Sequence, residues 1–277
     1  MILPSPAMVP PDSLEALVEQ IHASPKYRMI SPDTIRDLLR QELPKHKQRQ
    51  AGIAAARKKL HQVAAHYLAE TDFPAAERSL AAAFAMGTDE AVRQACREIL
   101  RSHASSRERL DELPEIYPRI WELIGGPPRS LLDLACALHP LGWRWMGLER
   151  TALYHAYDLD ERVVSLVNGY LCLEGVKPGA VLTDVVCSPP AEEADVALLL
   201  KMYHCLETRR RGAGWEMVKC VRARHVVVSF PRHNLRGRQR EILDFHAPDL
   251  LAHVAAEGWS WQRLDLETEA FLIVTKT

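Results

Sequence analysis

Three carboxylates, Asp133, Asp158 and Asp184, each stand where a short apolar run stops. The first run reads Leu131-Leu132-Asp133-Leu134-Ala135-Cys136-Ala137-Leu138-His139-Pro140. A strand that ends in an acid and then small residues lets a ligand approach the backbone at the carboxyl edge of an open α/β sheet. Nucleotide loops of this kind usually carry glycines, and none occurs here before Gly142. The competing reading is that Ala135 and Cys136 only pack beneath a loop. The second run ends Tyr157-Asp158-Leu159-Asp160. An acid at the end of a second strand is placed to accept hydrogen bonds from ribose hydroxyls. Asp160 suits the N-cap of the helix that opens at Glu161, which leaves Asp158 for the ribose. In Thr183-Asp184-Val185 the carboxylate suits an adenine amino group, with Val185 against the ring.

Other chemistries lack their residues. The chain has no G-x-x-x-x-G-K-S/T loop for phosphoryl transfer, no G-x-S-x-G elbow and no H-E-x-x-H. Twelve histidines and six cysteines yield no ligand spacing, since His61 and His66 fall on different helix faces and no C-x-x-C occurs. No metal and no disulfide framework is expected. No apolar run approaches the roughly 20 residues of a membrane span, and Met1 to Leu17 lacks a secretory pattern. A soluble, reduced, cytoplasmic protein without a membrane partner is expected. At 277 residues and 47% hydrophobic the chain can bury a real core. Its net charge of -1 hides two basic stretches. Residues 26–61 hold ten Lys/Arg against three Asp/Glu, and residues 201–240 hold eleven against two. Such segments in an acidic background suit a polyanionic partner, although a single one reads equally as a solvated helix face.

The elements that must position these groups change character near Gly125-Gly126-Pro127-Pro128. Before it, helix follows helix. Ser31-Pro32-Asp33 opens one that runs to about Leu43, and Lys45 to Glu70 holds a long Ala/Lys/Arg/Gln-rich segment. Asp72 caps a helix ended by Gly87, and Thr88 caps another through Arg101. Ser105-Ser106-Arg107-Glu108 fits a capping box, and Pro114 starts a last helix through Trp121. After the break, apolar runs at residues 130–135, 153–157, 180–186, 196–200, 225–230, 260–266 and 270–275 alternate with helical candidates at 161–173, 202–222 and 238–257. Strands separated by helices imply right-handed crossovers and a mainly parallel sheet, and the last two must form an antiparallel hairpin. S-adenosylmethionine-dependent methyltransferases are commonly built this way. The expectation is an α/β chain: a helical N-terminal domain (1–107) followed by a Rossmann-like methyltransferase domain (108–277).

The segment His103-Ala104-Ser105-Ser106-Arg107-Glu108-Arg109 resembles the H-x-S-S/T-x-E-R motif of the aminoglycoside-resistance 16S rRNA (guanine(1405)-N7)-methyltransferases. Further similar stretches follow: Lys58 to Gln62, Asp133 to Pro140, Tyr157 to Asp160, Ala194 to Lys201, Cys205 to Glu207 and Val227 to Pro231. The resemblance implies S-adenosylmethionine as cofactor and 16S rRNA within the 30S subunit as partner, with the enzyme a monomer. It assigns the cofactor to Tyr67, His103, Ala104, Ser105, Arg109, Ala135, Asp158, Asp184, Val185, Leu200 and Arg209. Arg109 suits the methionine carboxylate, a pairing that guanidinium geometry favours. Lys201 falls near the target base. Lys45, Lys47, Arg49, Arg57, Lys58, Lys59, Arg232 and Arg236 supply rRNA contacts. The chain departs from the family at His139, usually Asn, at Arg209, often Gln, and at His204, where proline is common. The stretch after Pro231 also differs, reading Arg232-His233-Asn234-Leu235-Arg236-Gly237-Arg238.

Guanine N7 already carries a lone pair and no proton, so this chemistry calls for positioning rather than a general base. The target base must leave its stack, at about a few kcal/mol. Two alternatives stay open: methylation of another rRNA atom, such as a decoding-site adenine N1, or a ribosome-binding homologue without turnover.

Overall fold

The computed structural model describes residues 13–65, 71–232 and 242–277. The chain forms two compact units, residues 1–66 and 67–277. In the first, helices α1 (Leu14–His22), α2 (Pro32–Glu42) and α3 (Arg49–Leu60) pack around Leu17, Ile21, Ile35, Leu38, Leu39 and Leu60. Pro32 takes the first turn of α2, where its missing N–H costs nothing. The continuous helix expected from Lys45 to Glu70 is shorter. Residues Leu43–Lys45 form a 3-10 turn, α3 begins only at Arg49, and His61–Ala65 widen into a π turn. Gly52 allows the close approach of α3, because a Cβ there would lie 3.1 Å from the Leu43 backbone.

The second unit opens with α4 (Phe73–Ala85), α5 (Asp89–Arg101), α6 (Ala104–Glu108) and α7 (Leu113–Ile124). Asp72 and Thr88 cap α4 and α5 as the sequence predicts, accepting from Ala75 N and Ala91 N. The units divide earlier than the 107/108 boundary expected from the change in pattern. The reason is packing: Phe73, Leu80, Val92 and Ile99 share one apolar core with Leu131, Leu198 and Phe271 of the sheet.

That sheet comprises β1 (Ser130–Leu134), β2 (Leu153–Asp158), β3 (Ala180–Leu182), β4 (Glu193–Leu200), β5 (Arg222–Pro231), β6 (Ser260–Asp265) and β7 (Glu269–Thr275). Its order is β3-β2-β1-β4-β5-β7-β6. The first five strands run parallel, and β7 lies antiparallel to both β5 and β6. Between them run α8 (Trp143–Met146), α9 (Glu161–Glu174), α10 (Tyr203–Arg209), α11 (Ala213–Cys220) and α12 (Ile242–Ala256). Strand side chains alternate between the two faces: Leu131, Leu198 and Val227 enter the core under α4, α5, α7 and α9. Leu132, Leu199 and Val228 enter the opposite core, under α10, α11 and α12. The single helix expected over 202–222 is two, broken at Gly212, whose φ of +85° suits glycine. The third strand ends at Leu182, and Asp184 begins a turn by accepting from Cys187 N and Ser188 N. Among the described residues no helix is long and apolar enough to cross a membrane.

Candidate cofactor site

Sheet order places the crossover switch between β1 and β4, and the three carboxylates gather at the carboxyl ends of the strands beside it. Beyond β1 the chain turns through Ala135 at φ +53° and Ala137 at φ +46°. These are left-handed conformations in which a Cβ costs roughly 1–2 kcal/mol, so the alanines do what glycines do in related loops. The turn is held to β2: Cys136 N donates to Tyr157 O and Ala137 N to Asp158 Oδ2, both at 2.9 Å. The other Asp158 oxygen accepts from Asp160 N at 2.9 Å. Burial pushes the Asp158 carboxyl up to about 7, against the backbone N–H groups that favour its ionised form. Asp160 caps α9 through Arg162 N, as expected.

Asp184 is buried and pairs with Arg209, Nη1 to Oδ2 at 2.7 Å. Arg209, which stands where glutamine is often found, therefore reaches the expected adenine position through Asp184, and its Nη2 also donates to Cys187 Sγ at 3.5 Å. Val185 is buried in the apolar core with Tyr157 and Leu206.

The H-x-S-S/T-x-E-R segment forms α6, but not by the expected capping box. His103 takes the N-cap position, and its Nδ1 meets the hydroxyls of Ser105 at 3.0 Å and Ser106 at 3.3 Å. The serine oxygens are thus tied to the imidazole instead of to helix N–H groups. Burial, with the charges of Arg109, Lys201 and Arg107, pushes His103 down to about 4, so its ring is neutral. Arg109 grips Glu269 of β7 with two hydrogen bonds, Nε to Oε2 at 3.2 Å and Nη2 to Oε1 at 3.0 Å. The Ser229 hydroxyl donates to the same Glu269. Lys201, expected near the target base, is buried and turned inward. Its Nζ donates to Glu108 at 2.6 Å and to Ser105 O at 3.2 Å, and lies 3.6 Å from Glu269. Two cations and two anions thus bind α6 to the ends of β4, β5 and β7. Leu200 packs against the core on the α9 face, and Ala104 opens α6, half-buried. Tyr67 and Arg236 lie outside the described residues.

Sequence reasoning missed Glu269, Ser229, Tyr117 and Tyr154 as partners of site residues. The partner of Arg109 stands 160 positions away, and no local pattern signals it. Of the expected rRNA contacts, Lys45, Lys47, Arg49, Arg57 and Lys58 are exposed. Lys45 and Lys59 each bond Glu42 at 2.8 Å, which holds that carboxyl down to about 2. Arg232 is half-buried and donates to Leu266 O at 2.9 Å.

With this geometry in place, the chain can be compared with known proteins. The model of the FmrO ribosomal RNA methyltransferase family matches residues 23–274. A 16S rRNA (guanine(1405)-N(7))-methyltransferase of Micromonospora echinospora is 33% identical over 270 residues, covering 96% of this chain and 98% of its own. The solved structure of the 16S rRNA methylase RmtB aligns with a TM-score of 0.79 at 28% identity, covering 97% of this chain and all of the other. The 16S rRNA methyltransferase RmtF, solved in complex with S-adenosyl-L-homocysteine, aligns at 0.79 and 29% identity, covering 96% of this chain and 99% of its own. The family match spans both units, and on that ground the chain belongs to the FmrO ribosomal RNA methyltransferase family.

Proposed function

We propose that this chain methylates N7 of guanine 1405 in 16S rRNA, with S-adenosylmethionine as donor and the 30S subunit as substrate. The observation that carries this is near-complete coverage, at 33% identity, by a relative named for that reaction. The residues at the carboxyl edge fit the cofactor. Asp158 offers a buried carboxylate to ribose hydroxyls, and Asp184, held by Arg209, offers one to an adenine amino group. The small side chains of Ala135 and Ala137 leave the loop backbone open to close approach. Arg109 gives its Nε and Nη2 to Glu269, which leaves Nη1 for a methionine carboxylate.

Bound there, S-adenosylmethionine supplies a methyl carbon activated by its sulfonium. The chain's own part is to fix the acceptors and bring N7 into line, a contribution of up to roughly 7–11 kcal/mol when reacting atoms are well oriented. No proton must leave N7, and His103, neutral and bonded to two serine hydroxyls, serves as framework rather than base. Lys201 acts on the site by holding α6, through Ser105 O and Glu108. Exposed Lys47, Arg49, Arg57 and Lys58 in the first unit supply phosphate contacts to rRNA, which suits a docking role for residues 1–66. The enzyme works as a monomer on a cytoplasmic ribosomal particle, and methylation protects the decoding site from aminoglycosides.

The test is incorporation of labelled methyl into 30S subunits against protein-free 16S rRNA, followed by mapping of the modified base. Label at guanine 1405, favouring the subunit, is the expected result. Expression then raises resistance to gentamicin and spares apramycin, whereas comparable apramycin resistance points to an adenine N1 target and overturns the guanine assignment.

A further inference from the structure

His139 stands where relatives by resemblance carry asparagine, and it lies inside a chain of buried polar groups. Its Nδ1 is 2.6 Å from Asp133 Oδ2, and the Tyr154 hydroxyl donates to that same oxygen at 2.6 Å. Its Nε2 meets the Tyr117 hydroxyl. Tyr117, Asp133, Tyr154 and His139 are all at most 5% exposed. A carboxylate only accepts, so Nδ1 carries the proton that bonds Asp133. Burial holds the Tyr117 phenol far above its usual range, so it keeps its proton and donates to Nε2. One direction of donation satisfies every group: Tyr117 to His139, His139 to Asp133, Tyr154 to Asp133. A single tautomer follows.

The Asp133–His139 bond spans the turn that carries both left-handed alanines. Inside that span, His139 N donates to Cys136 O at 3.0 Å, and Ala137 N donates to the Asp158 carboxylate. Ala135 and Ala137 resist this conformation, so the turn holds only while both ends are pinned. We infer that His139 is a positioning residue for the cofactor, clasping the β1 turn to Asp133 so that Ala137 N–H keeps the Asp158 carboxylate aimed at the ribose. The inference rests on the proposed use of S-adenosylmethionine.

Side-chain length separates the clasp from mere packing. The amide nitrogen of asparagine falls at the Nδ1 position of histidine, whereas the amide end of glutamine reaches the Nε2 position, where its oxygen can accept from Tyr117. His139→Asn therefore keeps the donor to Asp133 and loses Tyr117. His139→Gln keeps the Tyr117 side and loses Asp133. Binding of S-adenosylhomocysteine by calorimetry, KM for S-adenosylmethionine and kcat on 30S subunits are measured for both, for His139→Ala and for Tyr117→Phe. His139→Gln and His139→Ala should weaken binding and raise KM about tenfold or more, as loss of a charge-assisted hydrogen bond implies, with kcat at saturating cofactor within about twofold. His139→Asn should bind as wild type does. Tyr117→Phe should lower the melting temperature without changing affinity. Amide exchange at Ala137 in the full chain gives a second reading: protection is retained in His139→Asn and lost in His139→Ala. The inference is overturned if the Asn and Gln variants lose affinity in proportion to their melting temperatures, or if His139→Ala retains both affinity and Ala137 protection. If the wild-type chain itself binds no S-adenosylhomocysteine, the cofactor reading fails first, and the inference falls with it.

Discussion

Lys201→Met removes one of the four charges that bind α6 to the sheet, three of them buried. Its ammonium makes a 2.6 Å pair with Glu108 and stands 3.6 Å from Glu269. Removing one partner of a buried pair costs about 3–5 kcal/mol, because the other is left uncompensated. Two features set the loss at the lower end. The Glu108 side chain is 32% exposed and can return to water, and Glu269 keeps both bonds from Arg109. Methionine also retains the Cβ at φ +54°, so backbone strain is unchanged. About 3 kcal/mol is expected, which for a unit of this size lowers the melting temperature by roughly 6–12 °C. The assay is thermal unfolding, combined with a double-mutant cycle against Glu108→Gln, which should return a coupling of about 1 kcal/mol or more. A loss below about 1 kcal/mol with no coupling would mean that Lys201 is not an internal tie. Its ammonium would then belong in solvent, facing the target base.

Three further outcomes follow from the geometry. Burial raises Asp158 from 3.8 to about 7. The carboxylate proposed to accept ribose hydroxyls is therefore complete only above pH 7, and cofactor affinity should rise through neutral pH, falling by up to about tenfold per unit below it. The same shift means that the folded chain holds this proton more tightly than the unfolded chain, so the stability contributed by Asp158 declines as pH rises from about 4 to about 7. Calorimetry across neutral pH checks the first, and Asp158→Asn should flatten it. Lys47→Glu and Lys58→Glu should each weaken 30S binding and flatten its salt dependence by nearly one log–log unit per lost contact. Lys45 and Lys59, already bound to Glu42, should matter less. Unchanged salt slopes would move docking to the basic stretch after Lys201. Gly179→Ala should destabilise by about 2 kcal/mol or more, since its Cβ would fall on the Tyr154 carbonyl oxygen and force β3 away from β2. A melting temperature equal to wild type would refute that close approach.

The strands were legible because each is a short apolar run bounded by helix signals, and caps such as Asp72, Thr88 and Asp160 stood out because an N-cap is a local event. The break at Gly212 was not, since helix-forming residues flank it on both sides. Asp158 could be read from its place at a strand end. The inward turn of Lys201 could not, because its partners lie on α6 and β7. Nor does a row of small residues reveal that Ala135 and Ala137 take backbone angles usually left to glycine. Backbone angle is a property of the folded turn and not of the residue names. Contacts distant in sequence and torsions imposed by packing make up most of what composition and spacing left out.

The position of β7 constrains the order in which the protein becomes an enzyme. This strand is inserted between β5 and β6, although it is made after both. While the nascent chain is still short of Glu269, β5 has an open edge, Ser229 and Arg109 lack their shared carboxylate, and α6 has lost one of its anchors. The segment at residues 103–109, translated early, thus waits on a residue translated late. A chain that ends before Glu269 therefore leaves the Arg109 guanidinium and the Ser229 hydroxyl without the carboxylate that joins them.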